Sequence, residues 1–309
     1  IRIYNMFKKT LIAAAVATMA SSVAMADVKI GGKVEQQQQK SEAGEWSGWS
    51  DVRLTVSGDE DLGNGMSAFF KFQDEMGLRT GAGTQQYDQL VGLKSSAGTL
   101  IMGKVEDFTE SKVMSMTDKT MGAGGVEIGA NLGRNEGAIA YVSPSFSGLT
   151  VGVAGYALSA SGGDQDAFDA VDLGLMYSNG PLSVNVAFEN DKRAATAAFH
   201  SGDSTSIGAS YAMGDMTVAA TFQTTEFDTA GKADEDDTSI ALTYAMGNNK
   251  LVLGWNDNET SAAAVVTDTN SNVIELQHSF SKHTAAYVNF YNSDVADADT
   301  TSFGLQHTF

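Results

Sequence analysis

The sequence predicts an all-β fold, a 16-stranded antiparallel transmembrane β-barrel. Three observations carry that expectation. Short segments alternate apolar with polar or small side chains, the connections sort into tight turns and long polar loops, and a secretory leader precedes a chain with no run of 18 apolar residues.

The alternation is the primary signal. In 237–246, Ile240, Leu242, Tyr244 and Met246 alternate with Ser239, Ala241, Thr243 and Ala245. In 182–188, Leu182, Val184, Val186 and Phe188 alternate with Ser183, Asn185 and Ala187. The stretches 206–213, 216–223 and 301–309 repeat the pattern. A helix would place its apolar residues every three or four positions, and the period here is two, so these are strands. Sixteen are expected near 28–37, 48–57, 66–75, 86–94, 98–105, 134–143, 149–158, 169–178, 182–190, 203–213, 216–225, 237–246, 250–258, 272–280, 283–293 and 300–309.

The connections separate a barrel from a sandwich. Gly214-Asp215, Gly247-Asn248-Asn249 and Ser281-Lys282 are tight, whereas 159–168, 191–202, 226–236, 259–271 and 294–299 read as long polar loops. Tight turns at one end and long loops at the other fit an up-and-down barrel. In lipid an open sheet edge leaves backbone groups unpaired, so closure is required. A barrel of this size encloses water, and the Ser, Thr, Gly, Asn and Gln parity suits a wetted wall. The connection 106–133 is the longest and has no period-two pattern. Loops of that length usually have a function, and one here can fold inward to narrow a channel; a mobile external loop is the competing reading.

Residues 6–26 read as a secretory signal, with Lys8 and Lys9, the apolar stretch 10–20 and the small-residue site Ala24-Met25-Ala26. Residues 1–5 read as an upstream extension, cleavage is expected after Ala26, and 27–309 is the expected barrel domain. Removing 1–26 takes away Arg2, Lys8 and Lys9 and moves the net charge from −19 to −22. That balance argues against nucleic acid as a partner. With no cysteine there is no disulfide, thiol chemistry or Cys-type zinc site. With 18% charged and 42% hydrophobic residues, disorder is excluded as well.

Catalytic signals are missing. His200, His278, His283 and His307 are scattered among loop, strand-end and turn positions, and no H-E-x-x-H, G-x-S-x-G or Walker pattern occurs. The acid run Asp234–Asp237 lacks calcium-loop spacing and reads as a solvated surface loop. Neither an enzyme nor a cofactor or metal site is expected.

Three phrases and the C-terminus carry a resemblance. VRLTVSGDEDLGNGMSAFFKFQ (52–73), LVGLKSSAGTLIMGK (90–104), SPSFSGLTVGVAGY (143–156) and the terminal aromatic Phe309 resemble the general diffusion porins of Gram-negative proteobacteria. The resemblance covers 27–309, is strongest in those segments and is weak in the long loops. It implies a water-filled channel for passive diffusion of small hydrophilic solutes and ions, a homotrimer, and a third loop folded into the lumen. It also implies outer-membrane lipid and lipopolysaccharide as surroundings, and Phe309 as the signal read by the barrel assembly machinery. An outer-membrane adhesin or receptor barrel and a substrate-specific channel are the alternative functions.

Matched phrase to phrase, Lys33, Arg53, Lys104 and Arg134 fall on the basic wall of the constriction. Parity independently puts Lys33 and Arg53 on the lumen face: Arg53 alternates with Val52 and Leu54, and Lys33 with Val34. A rim position with a snorkelling side chain is the competing reading. In the third loop Asp118 and Gly124-Gly125 fit the family spacing, while Gly122 takes the usual glutamate position and Lys119 adds a base. Glu106, Asp107, Glu110 and Glu127 are the candidate replacements. The four bases should favour anions at the narrowest point, and the loop acids should favour cations at the mouth. The expectation is a weak cation preference that fades as salt rises.

Overall fold

The computed structural model describes residues 27–42, 44–77, 84–122, 124–129, 132–157, 167–192, 202–228, 232–262 and 265–309. The expected leader and its cleavage site lie outside these, as does His200.

Sixteen strands follow one another: β1 (Lys29–Ser41), β2 (Trp46–Gly63), β3 (Met66–Gly77), β4 (Thr84–Ser95), β5 (Gly98–Glu106), β6 (Arg134–Val142), β7 (Leu149–Tyr156), β8 (Ala170–Asn179), β9 (Leu182–Asp191), β10 (Gly202–Met213), β11 (Met216–Phe227), β12 (Asp234–Met246), β13 (Asn249–Ala262), β14 (Val265–Ser279), β15 (Thr284–Ser293) and β16 (Thr300–Thr308). Each pairs antiparallel with its sequence neighbours, and β1 pairs with β16 to close the barrel. The seam runs from Lys33 opposite Thr308 to Ser41 opposite Thr300. Phe309 extends it, exchanging backbone hydrogen bonds of 3.0 Å with Gly32 in both directions. The last residue therefore completes the closure. A Cβ on Gly32 would come within 2.9 Å of the Phe309 ring.

Exposure assigns the faces. Ile240, Ile274 and Phe303 are 43%, 53% and 49% exposed, whereas the adjacent Ser239, Glu275 and Ser302 are 0% exposed. A continuous apolar exterior around a closed sheet is a lipid-facing surface, with the polar parity inside.

Two sequence expectations are corrected. The stretch 259–271, expected as a long loop, is a continuation of β13 and β14, which pair up to Ala262 opposite Val265. Likewise Asp234–Asp237 is no surface loop: it opens β12, and Asp237 is buried against the interior. The reason is common to both. Above the hydrocarbon layer no apolar parity is needed, so the alternating signal ends while the backbone ladder continues.

The apolar core lies between the third loop, 107–133, and the inner wall. Phe108, Val113, Ile128 and Leu132 of the loop pack with Val105, Ala138, Ala140, Ala154, Tyr156, Ala170 and Ala187 of the wall. After β5 the chain coils through two short helical turns, Thr109–Val113 and Met114–Met116, against β8 to β11. Small inward residues here are dry seats for the loop, not a wetted lining. A Cβ on Gly152 would sit 2.2 Å from Phe108 Cζ, and one on Gly174 would sit 2.7 Å from Phe108 Cγ.

A valine at Gly174 should therefore cost about 1–3 kcal/mol of loop seating by overpacking. Gly174→Val should still migrate as a folded barrel on a heat-modifiability gel and show a larger single-channel conductance than the parent. An unchanged conductance would mean that the loop is held without Phe108.

Candidate functional site: the lumen wall and the third loop

The third loop has almost no ladder of its own, so its backbone donors need partners elsewhere. Carboxylates on the inward parity of four strands supply them. Asp172 on β8 accepts the Phe108 N–H at 2.6 Å, and Glu189 on β9 accepts Leu132 N–H at 3.1 Å. Asp237 on β12 accepts Gly129 N–H at 3.2 Å. Glu275 on β14 takes two donors, Met121 N–H and Gly122 N–H, each at 2.8 Å. Its other partners are the Asn289 amide at 2.9 Å and the Gln277 amide at 2.6 Å, which leave the carboxylate fully satisfied. Neutral side chains hold the loop carbonyls: Asn185 donates to Lys112 O at 2.7 Å and Gln277 to Lys119 O at 3.2 Å. The loop thus crosses the interior from β8 to β14.

Asp107 belongs to this framework. It was expected in the pore lining, but it is fully buried and accepts the N–H groups of Glu110, at 2.6 Å, and Gly133. Burial, reinforced by Glu189, pushes its carboxyl well above the ordinary aspartate range. It anchors the two ends of the loop to each other and offers no charge to the lumen.

The expected bases fall into two groups. Lys33 and Arg53 stand directly opposite each other on β1 and β2, and Arg53 faces Glu75 on β3. Lys33 Nζ lies 2.9 Å from Glu35 and 3.7 Å from Asp51. Arg53 holds Glu75 with Nη2 at 2.6 Å and Nε at 2.9 Å. Arg134 pairs with Glu106, with Glu110 at 2.9 Å and with Asp88 at 3.8 Å. Lys71 completes the row, 2.7 Å from Asp88. Tyr87 links the two arginines: the Arg53 guanidinium lies 3.8 Å from its ring centre and the Arg134 guanidinium 4.3 Å. Lys33, Arg53, Arg134 and Glu106 are therefore brought together on one wall.

Lys104 stands apart. It sits within the register shift between Gly103 and Val105 and makes no ion pair among the described residues. It borders a cavity of about 620 Å³ whose walls include Asp74, Gln86, Glu110 and Arg134. That cavity adjoins the top of β4, where Thr84–Gln86 pair with β3 and not with β5.

The facing loop carries Asp118 and Glu127. Both are open to the lumen but densely surrounded by protein. That enclosure raises both carboxyls, with Asp118 adding its repulsion at Glu127, which is pushed to about 7. Glu110 is also raised to about 7, first by burial and then by Glu106, against the pull of Arg134.

Reading the motifs missed the acids Glu75, Asp88 and Asp51, the base Lys71 and the bridging Tyr87. Strand parity could have found Lys71, Asp51 and Glu75, which share the inward faces of β2 and β3. Asp88 and Tyr87 sit at a register shift between β3 and β4, where parity changes.

A closed lipid-facing barrel with a charged lumen and an internal loop defines the class: an outer-membrane barrel of the porin type. The chain belongs to the Gram-negative porin family, whose sequence model matches residues 13–298. It is 27% identical to outer membrane porin protein 32 of Delftia acidovorans, over 97% of this chain and 92% of that one. It is 30% identical to an outer membrane porin protein of Bordetella pertussis over 44% of this chain, a match that spans 41% of the Bordetella protein. Among solved structures, the anion-selective porin from Comamonas acidovorans shares the fold with a TM-score of 0.74, 20% identity and coverage of 92% and 100% of the two chains.

The Glu275 lock has a measurable consequence. Charge-assisted hydrogen bonds contribute about 1.5–3 kcal/mol each. Glu275→Ala should leave the barrel folded but raise amide hydrogen exchange at Met121 and Gly122 and increase open-channel current noise. Protection equal to the parent at those two amides would show that the loop does not depend on this carboxylate.

Proposed function

We propose that the protein is a passive channel through which small hydrophilic solutes and ions diffuse, assembled as a homotrimer in outer-membrane lipid beside lipopolysaccharide. One wall of its constriction is built from Lys33, Arg53 and Arg134, with Glu106 beside them and Asp118 on the loop opposite; Lys104 borders it. The channel prefers cations weakly. One observation supports that preference above all. Lys33, Arg53, Lys71 and Arg134 are four bases, and six acids contact them, namely Glu35, Asp51, Glu75, Asp88, Glu106 and Glu110. Such pairs present a small net field, and here the acids outnumber the bases. The near-cancellation accounts for a weak preference rather than a strong one.

Salt distinguishes near charges from far ones. At physiological ionic strength the Debye length is about 8 Å, so acids in the outer loops are screened from the constriction while wall carboxylates are not. Cation preference should therefore fall as salt rises and then level off above zero. Reversal potentials across a KCl gradient at several mean concentrations measure this. A preference that vanishes or inverts at high salt would assign it to the outer loops alone.

Charge variants test the wall itself. Arg53→Gln leaves Glu75 without its main partner and should strengthen cation preference, whereas Glu106→Gln with Glu110→Gln should weaken it. Identical reversal potentials in all three proteins would remove these residues from the pore. Liposome swelling in small sugars, with resistance to large oligosaccharides, tests the diffusion channel. Swelling that saturates for a single sugar would favour a substrate-specific channel.

The loop carboxyls add a pH dependence. Glu110 and Glu127, both raised to about 7, are charged above that pH and lose charge as pH falls through it. Cation preference should thus be greater at pH 9 than at pH 5, with the change centred near neutrality. A change centred only near pH 4 would mean that these carboxyls titrate as ordinary exposed acids.

A further inference from the structure

Beneath the third loop, toward the short-turn end of the barrel, lies a second cavity of about 450 Å³. Of its 15 lining residues eight are serine or threonine, two are lysine and none is a carboxylate. In a chain with 38 acids and 19 bases, that exclusion leaves the two lysines as the only charged side chains on the lining.

The lining follows from the strands. Ser183, Ser210 and Thr217 occupy the inward parity of β9, β10 and β11, with Ser183 directly opposite Ser210. Their hydroxyls make no hydrogen bond among the described residues and are free to donate. From above, the loop contributes Lys112 and Lys119. Neither makes an ion pair among the described residues, and Lys119 donates to the Ser115 carbonyl. Lys250 on β13 adds a third ammonium near Lys119. Burial pushes the Lys119 ammonium below its ordinary value, with Asp118 opposing and Lys250 adding to the shift. An anion in the cavity would relieve that cost.

We propose that this cavity is an oxyanion subsite, taking inorganic phosphate or the phosphate group of a small solute between Lys112, Lys119 and the hydroxyls of Ser183, Ser210 and Thr217. Two ammonium groups match the charge of a dianion, and hydroxyl donors from three adjacent strands can satisfy its remaining oxygens. The inference rests on the pore reading for access to the cavity. It adds a property that reading lacks: the acidic wall and the basic cavity lie on different sides of one loop, so ions of opposite sign are favoured at different depths.

The test uses the assembled porin in a planar bilayer with a KCl background and inorganic phosphate added to each side in turn. Phosphate from one side should lower the single-channel conductance saturably. Lys112→Gln and Lys119→Gln should each weaken the apparent affinity about tenfold, and arginine at either position should restore it. Broadening of the phosphate ³¹P resonance by the detergent-solubilised protein gives a second readout that needs no conductance. Ordinary KCl steps with no saturable phosphate effect and no broadening would overturn the proposal, as would wild-type affinity in the double glutamine variant. Equal competition by neutral glucose would overturn it too. The absence of KCl steps altogether would instead defeat the pore reading, and the resonance broadening would still judge the subsite.

Discussion

The structure depends on how a length of irregular backbone is held inside a closed β-barrel. Closing the sheet pairs every strand with two neighbours, and it leaves the third loop surrounded by a wall with no sheet edge to join. The loop's N–H groups are taken up by carboxylates, five of them by Asp172, Glu189, Asp237 and Glu275. A carboxylate suits this role because it accepts several donors at once and binds them more strongly than a neutral oxygen does. Apolar contact does the rest, with Phe108 and Val126 fitting where Gly152, Gly174 and Gly254 leave room. Polar grip and small-residue seats together fix the depth at which the lumen is narrowed.

That arrangement divides the acids of the chain by role. One set, with Asp107 and Glu275 as its clearest members, grips backbone and faces little water. A second set, including Glu75, Asp88 and Glu106, neutralises bases on the facing wall. A third, with Asp118 and Glu127, stands open to the lumen. The formal charge therefore overstates the field an ion meets, because the first set is buried and the second is mostly cancelled. The same logic applies to the bases: Arg53 and Arg134 share Tyr87 and are held by carboxylates, so their presence at the positions of a basic wall does not make the wall basic. Lys112 and Lys119 differ in making no ion pair among the described residues.

The barrel was legible in the sequence because lipid enforces alternation. Ile240, Leu242 and Tyr244 had to point outward, so Ser239, Ala241 and Thr243 had to point inward. Where lipid ends, so does the signal, and the paired stretch through Asn258 and Thr269 reads as loop. Lys33, Arg53 and Arg134 were singled out by motif, the first two also by parity, and the three share a wall. Their electrostatic meaning was not legible, because it depends on partners from other strands: Glu75 lies 22 residues from Arg53, and Glu106 lies 28 from Arg134. Asp107 was misread for a related reason. A carboxylate gripping backbone and one lining a pore look alike in sequence, and only the path of the loop tells them apart.

Register shifts add a further layer that periodicity does not reveal. Between Phe72 and Asp74 on β3 and between Gly103 and Val105 on β5 the strict alternation breaks. Both breaks lie on the wall that carries the charged row, and the first delivers Tyr87 and Asp88 to Arg53, Arg134 and Lys71. An extra residue in one strand re-aims the side chains beyond it and bends the ladder locally. The shortness of β5 and β6 beside β4 then leaves the top of β4 without a partner on that side, and Arg134 spans the gap to Asp88 by charge where backbone pairing has ended. At this point of the wall the charged row does the work that hydrogen-bonded strands do elsewhere. On the proposed channel reading, a substitution at Arg134 acts on selectivity and on wall integrity at once.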